Sequence, residues 1–257
     1  MDIVQNEPVD RSAFAPLRRY MPSHVRWTFW DLLLVALVTL VLSGLSLALV
    51  RVLPGVAANA ESLALNLGAG GVVYLITLVA VFAVIVLRRR GTWHEIGFRR
   101  TSPWWALLVF GMFIVQLLSV ALANLAIQAI TGPFTNPQIA ALTDERGFSW
   151  LNFAVVFAVG AIIAPIVEEL TFRGLLYQWL RKHTGVLLPV LLSGALFSVV
   201  HFIPQLFLGL FLVGVILALA FEWSQSLWVP ITLHMLQNGL SIIAIFTAQA
   251  LGIQLPQ

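Results

Sequence analysis

"IVEELTFRGLL", residues 166–176, sets Glu168, Glu169 and Arg173 inside an otherwise apolar stretch. Residues 150–167 before it carry no Asp, Glu, Lys or Arg, and the next charge after Arg173 is Arg181. Whether this stretch is a soluble core or a membrane crossing decides the fold. The 257-residue chain is 60% apolar and 10% charged, against about 25% charged in ordinary soluble domains. A soluble domain with so little charge could not cover its surface. The apolar residues also come in long blocks: 32–50, 63–87, 104–130, 150–167 and 227–253 have no charged side chain, and neither has 184–221, long enough for two crossings. A helical crossing needs about 20 such residues. Lipid offers the backbone no hydrogen-bond partner, so a crossing is a helix or part of a closed barrel, and a barrel alternates in polarity where these blocks do not. The expected fold is all-α: a polytopic transmembrane bundle of about seven to eight helices, seven of them spans, in an integral membrane protein.

Composition also removes functions. Without cysteine there is no disulfide and no thiolate metal site. The net charge of +3 does not point to nucleic acid, because the positive residues flank the spans, as lipid-facing loops require. "ANAES" (58–62) resembles a signal-cleavage site, but the apolar block before it exceeds a signal core, so the block reads as a retained span.

Arg11, Arg18, Arg19 and Arg26 precede the first span, "RRRGTWHEIGFRR" (88–100) follows the second, and Arg181 and Lys182 follow the fourth. The 52–62 loop has no Lys or Arg, and 131–149 has one arginine beside Asp144 and Glu145. The positive-inside rule then places the N-terminus, 88–102 and 181–185 in the cytoplasm, with the C-terminus outside. "EWSQS" (222–226) joins them by span counting alone. The organisation expected is a cytoplasmic tail over 1–28, two spans with a basic loop over 29–102, and a core over 103–257. The piece 91–102, with Trp93, Ile96 and Phe98 among charges, reads as a membrane-surface segment or an ordinary loop.

The polar residues of the later spans share one depth. Residues 149–182 form one long helix, with a kink expected at Pro165. "KHTG" (182–185) is its turn, and the next span runs from 186 to about 203. Glu168 and His201 then lie about 22–25 Å along their helices from that turn. His234 and Asn238 lie about 11 and 17 Å into the last span, four residues apart and so on one face. Ionisable groups inside a span are costly and mark function. Glu169 and Arg173, at i and i+4, are the natural ion pair. Glu168 points about 100° away from Glu169 at 3.6 residues per turn and is free to face His201 as a general base. Phe197, one turn before His201, packs against that site or is a plain core aromatic.

Glu-Glu-x-x-x-Arg (Glu168, Glu169, Arg173), Phe-x-x-x-His (Phe197, His201) and His-x-x-x-Asn (His234, Asn238), in this order on three late spans, resemble the CAAX prenyl protease and bacteriocin-processing (Abi) family of intramembrane proteases. The resemblance covers roughly 105–250, making 103–257 the protease core and putting the active site inside the membrane. It implies that Glu168 activates water, His201 holds or polarises that water, and His234 and Asn238 stabilise the oxyanion, with Glu169 and Arg173 as supports. It implies as partners the lipid bilayer and a peptide or membrane-protein substrate, lipidated in some members, and as location a bacterial cytoplasmic membrane. The chemistry agrees with direct hydrolysis. With no cysteine, and Ser198 lacking an acid partner for a triad, an acyl-enzyme is disfavoured. No cofactor is expected. Zinc held by Glu168, His201 and His234 is the alternative, although the helical zinc-protease motif His-Glu-x-x-His is missing. The rival functions are a non-catalytic scaffold or bacteriocin-immunity protein, which would have no need of these costly residues, and a small proton-coupled transporter, which should show two matching halves with broken helices.

The topology has a direct check. Reporter fusions after Arg90 and after Lys182 are expected to read cytoplasmic, and fusions after Asp144 and Gln257 external. An external signal after Lys182 would overturn both the orientation and the shared depth.

Overall fold

The structure, a computed structural model, describes residues 25–52, 63–134, 136–142 and 147–253. The tail up to residue 24, the "ANAES" stretch and the acidic pair Asp144 and Glu145 lie outside the described residues. Within them the chain is helical, with no strand. In chain order the helices are α1 (Phe29–Val52), α2 (Leu63–Phe82), α3 (Trp93–Ile96), α4 (Trp105–Thr131), α5 (Pro137–Leu142), α6 (Trp150–His183), α7 (Leu187–Val199), α8 (Phe207–Ser224) and α9 (Trp228–Ala250). Six helices are long and apolar enough to cross a membrane, and α7 is a shorter apolar seventh. The chain is thus a polytopic helical membrane protein.

The expected fifth span, 186–203, is corrected. α7 has 13 residues, about 20 Å, and ends before His201. The chain then turns, with Phe202 in the left-handed region at φ 55°, and a short 3-10 turn at Pro204–Leu206 leads into α8. The proline explains the early stop, since it disfavours helical geometry in the residue before it. α7 and α8 pack backbone to backbone: a Cβ on Gly214 would lie 2.7 Å from the Cα of Gly194. Small residues permit such close approach between membrane helices.

α6 runs unbroken for 34 residues but changes its winding twice. Phe157–Ile163 and Leu170–Tyr177 wind in the wider π register on either side of the α-helical segment Ala164–Glu169. Pro165, where a kink is expected, lies in the first turn of that middle segment. The preceding π turn accommodates it, and such turns recur at functional sites.

The basic segments meet at one end of the bundle, as the arginine counts require. Asp31, almost fully buried, sits 2.6 Å from Arg89 and 3.3 Å from Arg88. Arg26 pairs with Glu95 at 3.1 Å, and Lys182 donates to the Val25 carbonyl at 2.8 Å. Trp27 Nε1 donates to the Leu175 carbonyl at 3.0 Å. Glu222 of "EWSQS" accepts from Arg181 at 3.0 Å and from Tyr177 at 2.9 Å, which ties that turn to the same end.

The 91–102 segment is neither a surface helix nor a plain loop. Thr92 and Glu95 form a capping box around α3, and Gly97 (φ 124°) ends it. Ile96 is fully buried against the bare face of Gly174, where a Cβ would lie 2.8 Å from Ile96 Cγ2. Gln178 Nε2 donates to the Ile96 carbonyl at 2.6 Å, and the Leu227 amide to the Gly97 carbonyl at 2.8 Å. The segment is a wedge between α6 and the start of α9. Four residues of helix bury too little surface to lie stably on lipid, and Gly174 offers a socket instead.

Gly214→Ala forces apart the backbones of α7 and α8. Overpacking of this kind is expected to lower Tm in detergent by about 5 °C or more. An unchanged Tm would show that the α7–α8 contact is slack.

Candidate active site

Glu169 and Arg173 are fully buried and joined at 2.7 Å, as the i, i+4 spacing predicts. The pair is completed by other helices. Arg173 Nη2 donates to the Gly214 carbonyl of α8 at 2.7 Å, and its guanidinium lies 5.0 Å from the centre of the Phe197 ring. Glu169 Oε1 also meets His234 Nδ1 of α9 at 3.0 Å. A carboxylate on Nδ1 fixes the ring and turns Nε2 outward.

That Nε2 faces Glu168, whose Oε2 is 3.8 Å away. The other Glu168 oxygen accepts from the Tyr74 hydroxyl of α2 at 2.8 Å. Oε2 itself is buried and has no hydrogen-bond partner. A positioned carboxylate oxygen and a positioned imidazole nitrogen therefore converge on one gap. At 3.8 Å the two are beyond hydrogen-bond distance, but both are within reach of a reacting group.

His201 stands one ring further off. Its Nδ1 is 2.6 Å from the Phe197 carbonyl, and its ring centre is 4.8 Å from the Phe197 ring. The Phe197 ring also meets His234, with centres 5.6 Å apart. Phe197 is thus fully buried, touches both imidazoles and offers the face on which Arg173 rests. The expected pairing of Glu168 with His201 is not formed; His234 takes that place. The early end of α7 leaves His201 on a turn, with its ring against the Phe197 carbonyl. Asn238 is tied to α6: its Nδ2 donates to the Gly160 carbonyl at 2.9 Å.

The residues considered for zinc do not assemble around one point. Among the described residues no three His, Cys, Asp or Glu side chains are grouped to hold a metal ion. His234 Nδ1 is occupied by Glu169.

Two polar contributors escape a reading of the late spans. Tyr74 comes from the second span, outside every motif. It is one of three tyrosines in the chain, and a phenol within a span needs an acceptor; that was the available signal. Gln116 of α4 is fully buried, with Nε2 3.5 Å from Oε1 of Gln237, the neighbour of Asn238. An amide in the middle of the 104–130 block was its signal.

Residues 150–240 match the Type II CAAX prenyl endopeptidase Rce1-like family. This stretch of the chain is similar to an Rce1-like CAAX protease domain. It contains all three motifs, but neither Tyr74 nor Gln116. The chain is also similar to the membrane-embedded CAAX protease MroQ of Staphylococcus aureus (strain USA300), 25% identical over 185 residues, covering 67% of this chain and 71% of that protein. It is 28% identical to YdiL of Bacillus subtilis (strain 168) over 89 residues, 35% of this chain and 36% of that one. No solved structure matches. The family and the relatives support a membrane protease.

The geometry separates the two glutamates. Glu169→Gln and Arg173→Met each strand a partner in low dielectric, where a broken buried pair costs about 3–5 kcal/mol. Both are expected to lower Tm by about 10 °C or to abolish yield, whereas Glu168→Gln keeps its Tyr74 contact and its yield. Equal losses at all three positions would refute this division.

Proposed function

We propose that this chain is an intramembrane endopeptidase in which Glu168 activates water for direct attack on a peptide bond. The observation that carries the reading is the unpartnered Glu168 Oε2, held by Tyr74 through its sister oxygen and aimed at His234 Nε2 across 3.8 Å. A water in that gap gives a proton to Glu168 while its oxygen bonds to the scissile carbonyl carbon. With Nδ1–H given to Glu169, His234 donates to the tetrahedral oxyanion through Nε2–H as the doubly protonated ring. The C–N bond then breaks, and the amine leaves with the proton held by Glu168. His234 is oriented for this by Glu169, and His201 is the second imidazole beside the site. An acyl-enzyme is disfavoured because the chain has no cysteine and the Ser198 hydroxyl is engaged with the Phe207 carbonyl at 2.7 Å.

The reaction runs without a metal in this reading, since an oriented carboxylate next to an imidazole is already a competent base. The substrate is a peptide or membrane protein reached from the bilayer, lipidated or not. The arginine-rich end faces the cytoplasm of a bacterial cell, a placement supported by the charge distribution and the bacterial relatives.

Peptides released from membranes that contain the wild-type protein or Glu168→Gln decide the function. Wild type is expected to release peptides that Glu168→Gln does not, at equal expression. Release should survive strong chelation, and loss of one imidazole donor should slow it by about 10²–10³-fold. Identical release from both membranes would sink the protease reading. Stoichiometric zinc, lost together with activity in Glu168, His201 and His234 variants, would move the chemistry to the zinc-dependent form.

A further inference from the structure

The resemblance makes Asn238 an oxyanion donor, but one of its two amide N–H groups is engaged at a place where the main chain is missing a hydrogen bond. In the π turn of α6 the Ala164 amide donates to the Val159 carbonyl, five residues back. The next amide in that register would serve Gly160. It belongs to Pro165, which has no N–H to give. The Gly160 carbonyl is left without its helical donor inside a bilayer, where an unsatisfied backbone group is costly. Asn238 Nδ2 donates to that carbonyl at 2.9 Å.

The approach is built from both sides. A Cβ on Gly160 would lie 3.2 Å from Ile242 Cδ1. Ile242 is four residues beyond Asn238 and therefore on the same face of α9. The missing side chain at Gly160 lets α9 come close enough for a short amide to reach the α6 backbone. The segment that begins at this gap, Ala164–Glu169, carries both acids.

We infer that Asn238 is a positioning residue, which replaces the hydrogen bond that Pro165 cannot make and so holds the segment bearing Glu168 and Glu169 against α9. It acts on the reaction through the α6 backbone and not by touching the oxyanion.

Pro165→Ala tests this, because it restores the missing donor. In the native background Asn238→Ala is expected to lower the Tm of the detergent-solubilised protein by about 5 °C. It should also cut turnover of a quenched-fluorescent peptide that wild type cleaves and Glu168→Gln does not. In the Pro165→Ala background the same change should cost about 1 °C or less, and turnover should return to within about threefold of Pro165→Ala alone. Equal Tm losses in the two backgrounds overturn the inference. So does a turnover loss of about 10²-fold that persists in Pro165→Ala, the size expected of a missing oxyanion donor.

A spectroscopic arm needs neither turnover nor a folded Pro165→Ala variant. With every glycine carbonyl carrying carbon-13, the infrared difference between Asn238→Ala and wild type should show one glycine carbonyl moving to higher wavenumber as it loses its donor. No shift overturns the inference. The Tm and infrared arms report on Asn238 even if the chain proves not to be a protease.

Discussion

A guanidinium with no access to water constrains the whole centre of this bundle. Arg173 is fully buried at membrane depth, and a charge there is tolerated only with partners around it. Glu169 supplies the opposite charge from the same helix, but a guanidinium has five N–H groups. The Gly214 carbonyl takes one of the remainder, and a carbonyl in α8 can turn to a side chain because two glycines let α7 and α8 nearly touch. Phe197 offers the face of its ring. Through Glu169 the same charge fixes His234, and through Phe197 it sets the spacing of His201. The functional groups are thus attached to one ion pair that itself does no chemistry.

The site is divided between what holds and what reacts. Glu169 is taken up by Arg173 and His234. Each acid keeps one buried oxygen without a hydrogen-bond partner, but Glu168, the neighbour of Glu169 in sequence, faces another direction and turns that oxygen toward His234 Nε2. Two adjacent carboxylates can serve such different ends because successive positions on a helix diverge by about 100°. The π winding that starts directly after Glu169 brings Arg173 round under the acids and widens the helix where α8 and α9 reach in.

What was legible in the sequence followed local rules. The blocks without charge marked the spans, and the i, i+4 spacing marked Glu169 with Arg173. What was not legible depended on contacts between distant segments. Tyr74 reaches Glu168 across 94 positions; a phenol within a span calls for an acceptor, but nothing near it says which. His201 was read as a helical residue because its surroundings are apolar; Pro204 was the sign that the helix ends early. The 91–102 piece was ambiguous because its docking socket is the missing side chain of Gly174, more than 70 residues later in the chain.

The cluster at the basic end also imposes an order on biosynthesis. Asp31 enters the membrane region with the first helix, but Arg89 follows 58 residues later, a wait of about 3–12 s at ordinary translation rates of about 5–20 residues per second. Trp27 must wait for the Leu175 carbonyl across 148 residues, or about 7–30 s at the same rates. The first two helices are therefore inserted and provisionally oriented by charge alone, and are locked to the later bundle only after most of the chain has been made. A ribosome that stalls before residue 88 leaves two hydrophobic helices whose acid, Asp31, has not yet met its arginines, a form suited to recognition by membrane quality-control proteases.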